Sequence, residues 1–144
     1  MATDYQQGMY CAAYVGDADT ALASLDVLSN VTDVTIDMST GESDVTTRAN
    51  LGWKATAATL KECSATFKMV YKPDDANMIK IRDAWLNGDT LAMAFLTDDR
   101  DTSGAEGPRG NFSITNFSRS EPLTEAVTYD VTAKLAAFAE WVEV

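Results

Sequence analysis

Alternation of apolar and polar residues with a period of two recurs along this chain and limits what it can fold into. A period of two sends successive side chains to opposite faces of an extended strand, whereas a helix needs apolar residues three and four apart. From Val31 to Met38, Val34, Ile36 and Met38 share one face, and Asp33, Thr35 and Asp37 share the other. From Lys61 to Tyr71, Cys63, Ala65, Phe67, Met69 and Tyr71 alternate with Glu62, Ser64, Thr66 and Lys68. Leu91, Met93 and Phe95 form a third set, and Phe112 and Ile114 a fourth. In the last segment Val127, Tyr129, Val131, Ala133, Leu135, Ala137, Ala139 and Trp141 have one parity. Its Ala133–Glu140 stretch has good helix propensity, but the unbroken alternation favours a strand when a whole face is buried. Met9–Val15 and Leu22–Leu28 read as two further strands joined through Gly16–Asp19.

Helical signals converge once, over about residues 75–87. Pro73 and Asp74 mark the start, Gly88 marks the stop, and Met78, Ile79, Ile81, Trp85 and Leu86 form one arc. The expected fold class is therefore mainly β, an antiparallel β-sandwich or barrel with one packed α-helix. With 144 residues it is expected to form a single domain, 1–144. Two stretches lack periodicity and are expected loops: a long extended loop at about 39–59 and an acidic loop at about 98–110. The first contains Trp53, readable either as an interface anchor or as a plug folded back on its own core.

The chain has no histidine, which excludes Ser-His-Asp and Cys-His catalysis and histidine-ligated metals. It has neither a GxGxxG fingerprint nor a P-loop. Catalytic residues, metal sites and cofactors are accordingly expected to be none, and a carboxylate-based hydrolase is the weakest alternative. Asp99–Gly104 matches the first half of an EF-hand loop, but Gly110 stands where the closing Glu should be, so a flexible acidic loop is the better reading. Cys11 and Cys63 have no framework spacing and are expected to be small buried hydrophobes. No apolar run approaches a membrane span, and no export signal is visible at the N-terminus, so a soluble protein folding in a cytoplasm is expected.

The formal net charge is −11, which argues against stable binding to nucleic-acid phosphates. The charges are segregated. No Lys or Arg precedes Arg48, whereas Arg48, Lys54, Lys61, Lys68, Lys72, Lys80 and Arg82 make the middle positive, and acids dominate again after it. An uneven solvated surface explains this. A sharper reading is that the basic middle of one copy meets an acidic part of another, head to tail.

Two stretches carry a resemblance to a known family. These are Asp44–Ala55, feeding the strand with Phe67 and Tyr71, and Ile114–Leu123, feeding the terminal strand. With the order strand, long loop, strand, helix, strand, loop, strand, the chain resembles the major tail tube proteins of long-tailed (siphovirus-like) bacteriophages. The resemblance implies a virion structural protein that self-assembles into stacked, hexameric rings forming a conduit for DNA ejection. It places Thr46, Thr47, Arg48, Asn50, Gly52 and Trp53 at a contact between subunits or rings. The implied partners are copies of itself, a tape-measure protein and tail-end proteins, with assembly in the host bacterial cytoplasm and DNA passing through without stable binding. Asp33, Asp37, Asp130 and Glu140 are the candidate lumen-facing acids, from their outward parity. The alternatives are the inner tube of a contractile tail or secretion system, and a β-barrel binding a small apolar ligand.

Overall fold

The computed structural model describes residues 5–144. Its seven strands are β1 (Ala12–Asp17), β2 (Asp26–Val27), β3 (Val31–Asp44), β4 (Thr56–Val70), β5 (Thr90–Leu96), β6 (Glu106–Ser120) and β7 (Thr128–Glu143), with one helix, α1 (Ala76–Asn87), between β4 and β5. All pairings are antiparallel and join the strands into one sheet in the order β2-β1-β5-β6-β7-β4-β3. The expected mainly β fold with a single packed helix is what forms.

Though β1 and β4 are separated by three strands, their side chains meet in one core. Ala13 and Val15 of β1 pack in a cluster with Phe67 and Met69 of β4, Met93 and Phe95 of β5, Phe112 of β6 and Val131 of β7. The sheet is therefore curled, and a short strap holds it so. The Leu28 N–H donates to the Ala13 carbonyl, while Asn30 accepts from the Val70 N–H through its carbonyl and donates to the Val70 carbonyl through its side chain at 2.9 Å. Helix α1 adds Met78, Ile81 and Ala84 to the same cluster. Asp75 is its N-cap, and Gly88 closes it in the left-handed conformation at φ 74°. A smaller cluster of Tyr14, Leu25, Ala92, Ala94, Leu96 and Val142 lies on the other face of the sheet.

Several expectations change. The loop expected over 39–59 is mostly strand: β3 continues to Asp44 and β4 begins at Thr56, leaving residues 45–55 as a hairpin tip. Ser39 pairs with Glu62, Glu42 with Ala58 and Asp44 with Thr56, yet most of this stem is exposed on both faces, so no apolar alternation marks it. The loop expected over 98–110 shrinks to residues 97–105, because β6 begins at Glu106 and runs through Gly107, Pro108 and Gly110. Those breakers are tolerated for local reasons. Pro108 lies beyond the β5 ladder, which ends at Arg109, and a Cβ on Gly107 would sit 1.7 Å from the Phe95 carbonyl oxygen. Leu22–Ser24 is a single 3-10 turn, so the second N-terminal strand reduces to Asp26–Val27.

Strand β7 is extended throughout, as the alternation implies, but its parity is interrupted. Opposite β6, Ala136 and Ala139 are each skipped in the register, so Ala137 faces Asn111 away from the main core and Phe138 faces Gly110 toward it. Cys63 is buried, with burial pushing its thiol pKa up, whereas Cys11 is exposed rather than the small buried hydrophobe expected. Among the described residues no helix is long and apolar enough to cross a membrane.

Candidate functional site

The hairpin tip is ordered by its own polar groups. The backbone N–H of Thr46 donates to Asp44 Oδ1 at 2.9 Å, and the Ala55 N–H donates to Thr46 Oγ1 at 2.8 Å, so the two strands are clamped where they end. The hydroxyl of Thr46, followed by its backbone N–H, holds the Asp44 carboxyl below the usual carboxylate range. Arg48–Asn50 then makes one 3-10 turn with a reciprocal cap, in which Asn50 Oδ1 accepts from the Thr47 N–H at 2.7 Å. Leu51 at φ 52° and Gly52 at φ 86° reverse the chain, and the Trp53 N–H returns to the Asn50 carbonyl at 3.0 Å. Gly52 is suited to that position because it has no Cβ to strain there.

This polar frame faces inward on itself and turns the apolar side chains out. Leu51 is 87% exposed, Trp53 79% and Leu60, on the stem, 82%. Of the two readings of Trp53, the plug is excluded: its ring does not return to the core. Arg48 and Lys54 flank these side chains, and among the described residues neither makes an ion pair. The six expected contact residues, Thr46, Thr47, Arg48, Asn50, Gly52 and Trp53, thus fall on one compact tip, where three set its shape through hydrogen bonds and Gly52 through its backbone. Sequence reasoning missed Leu51 and Leu60. Leu60 carried a signal, because its parity is opposite to that of Cys63, Phe67 and Met69, whereas Leu51 carried none.

The four candidate acids do not form one group. Asp37 and Asp130 lie on the sheet face opposite the main core, in a stripe of hydroxyls and lysines. Asp37 pairs with Ser64, Ser64 with Lys134, and Asp130 with Lys68 and Ser118. Glu140 is taken up by Arg109, whose Nε lies 3.0 Å from its Oε1. Asp33 sits in the bulge between Val31 and Val34, beside a groove described below.

The half-motif at Asp99–Gly104 is tied by hydrogen bonds to its own loop and to neighbouring segments. Asp98 Oδ1 and Asp99 Oδ1 accept backbone N–H groups of their own loop, at 2.7 and 2.9 Å. Arg100 turns inward, its guanidinium 4.9 Å from the Tyr14 ring centroid and bonded to the carbonyls of Leu22 and Leu25. The Gly104 N–H donates to the Val144 carbonyl at 2.7 Å, tying the loop to the end of the chain.

Comparison with known proteins bears on these surfaces. The model of the phage tail tube protein family matches residues 6–138. No curated protein matches in sequence. Among solved structures, the tail of an empty gene transfer agent particle, refined with C6 symmetry, is 16% identical, covers 97% of this chain and 99% of its own, and has a TM-score of 0.75. The SPP1 tail tube is 15% identical over 96% of this chain and 78% of its own, with a TM-score of 0.71. A sheath–tube complex of an extracellular contractile injection system is 13% identical over 98% and 94%, with a TM-score of 0.54. At these identities the structural likeness concerns the fold.

Proposed function

The chain belongs to the phage tail tube protein family, and from that premise we propose that residues 1–144 act as one tail-tube unit whose copies close into six-membered rings. The rings stack head to tail into a hollow conduit through which DNA leaves the particle. The role is structural, the place is the virion tail, and assembly in the host bacterial cytoplasm brings copies of the chain together with a tape-measure protein and tail-end proteins.

The observation that carries the proposal is the hairpin tip, locally rigid yet apolar on its outside. An ordered loop exposing Leu51 and Trp53 has bought its order with polar bonds, and burying each large side chain against a neighbour contributes roughly 1.5–3 kcal/mol. The open edge of β3 adds to this. It ends the sheet, runs for 14 residues and has no β-partner on its far side within the described residues, a situation monomeric proteins avoid. The six-fold ring number is supported by the C6 symmetry of the gene transfer agent tail. The contractile-injection relative superposes less well than the two tails, which favours a tail tube over a contractile inner tube.

Replacing Leu51 and Trp53 together (Leu51→Asp, Trp53→Ala) tests the reading. Both side chains are exposed, so the isolated chain keeps its fold and its stability within about 0.5 kcal/mol. Rings and tubes disappear in electron micrographs while the circular dichroism spectrum is unchanged. Tubes that form as well as those of the parent protein would remove the tip from the assembly.

A further inference from the structure

The two ends of the curled sheet do not close on each other over their whole length. Between β1 and β3 an open groove of about 830 Å³ remains, floored by Ala13, Val27, Val34, Met38, Phe95 and Trp141. Val34 and Met38 have the inward parity read from the sequence, yet they are 39% and 56% exposed because none of the described residues covers them. The charged residues of the lining are Asp33 and Glu106, both acidic. The molecule therefore carries an uncovered apolar knob flanked by two cations and an uncovered apolar groove edged by two anions.

The knob cannot fill its own groove. Met38 is at the groove, and residues 39–44 continue β3 away from it, adding about 20 Å of strand at roughly 3.3 Å per residue before the tip begins. We infer that the groove between β1 and β3 receives the hairpin tip of a second copy of this chain. Leu51 and Trp53 enter the apolar floor, and Arg48 and Lys54 face Asp33 and Glu106. Different surfaces of the two copies meet in such a contact, so it is heterologous and leaves a free tip and a free groove on every pair, which is the condition for continued growth. Opposite charge at the edges selects the orientation and speeds encounter, while the apolar floor sustains the complex. The inference rests on the self-assembly proposed above and names the receiving surface.

Cys11 lines the groove and is exposed, whereas Cys63 is buried, so a thiol placed on the tip has one accessible partner. In the full-length Leu51→Cys chain, mild oxidation with copper–phenanthroline in air is expected to give a ladder of disulfide-linked dimers, trimers and higher multiples. Mass spectrometry of the digested ladder is expected to join the peptide containing residue 51 to that containing Cys11. Adding Cys11→Ser abolishes the ladder. Adding Asp33→Lys and Glu106→Lys lowers its yield several-fold, and adding Arg48→Glu and Lys54→Glu as well restores it. Absence of the 51-to-11 link, or its replacement by 51-to-51 links, overturns the groove contact. Micrographs of the same samples separate the two ideas: tubes without the link leave the tail-tube reading standing and remove the groove, and the link without rings or tubes does the reverse.

Discussion

Phe112 shows how far a single residue can be understood from its parity. It stands opposite Leu91 in the sheet, is fully buried, and meets Phe95 edge to face at 5.6 Å between centroids and 83° between planes. Phe112→Ala leaves a cavity in the cluster it shares with Phe67, Phe95 and Val131, and is expected to cost about 3–5 kcal/mol. Urea unfolding of the unassembled chain checks this, as a lower midpoint with an unchanged slope. A loss below about 1 kcal/mol would mean that the core is looser than its packing implies. Val34 and Met38 obey the same alternation and yet stay exposed, because parity reports which face a side chain takes and says nothing of whether this molecule covers it.

Among the elements, α1 was legible to within a residue because its ends carry residue markers as well as pattern: Pro73 and Asp74 just before the start, and the left-handed Gly88 at the stop. The stem of the β3–β4 hairpin was not legible. Hydrophobic alternation registers burial of one face, and Ser39–Asp44 and Thr56–Leu60 bury almost nothing; they are strands because their backbones pair. Strand β6 was hidden differently, its opening Gly107-Pro108-Arg109-Gly110 being read as loop although close backbone approach requires Gly107. In the tip, the capping pair Thr47 and Asn50 was named as a contact without its local role being readable, since that depends on the 3-10 turn between them.

The tip also has a pH dependence with a definite sign. The Asp44 pKa is depressed in the folded chain, so its bonds contribute order fully above the unfolded-state value and lose it as pH falls through the folded value. The Thr46 amide resonance is expected to titrate with a midpoint below the ordinary carboxylate range, and Asp44→Ala to abolish that step. A midpoint at or above that range would contradict the hydrogen-bond assignment.

The whole molecule carries a net charge of −11, and its charge segregation acquires a geometry once folded. Arg48 and Lys54 are at one extremity, and Asp33 and Glu106 edge a groove beyond the other end of the stem. The face bearing Asp37 and Asp130 is the candidate wall of the conduit; because Lys68 and Lys134 stand among these acids, any repulsion of DNA is local to the two carboxylates. Screening at physiological salt confines the effect to about 8 Å, so only DNA close to the wall feels it. Asp37→Lys with Asp130→Lys is expected to leave tube formation intact and to slow DNA ejection from particles; unchanged ejection kinetics would remove the electrostatic argument. Both expectations presuppose self-assembly. Negative-stain electron microscopy of the purified chain over a concentration series, with light scattering alongside, tests that directly. Six-fold rings and hollow tubes growing with concentration are the expected result, and monodisperse particles of one 15.6 kDa chain at every concentration would contradict it.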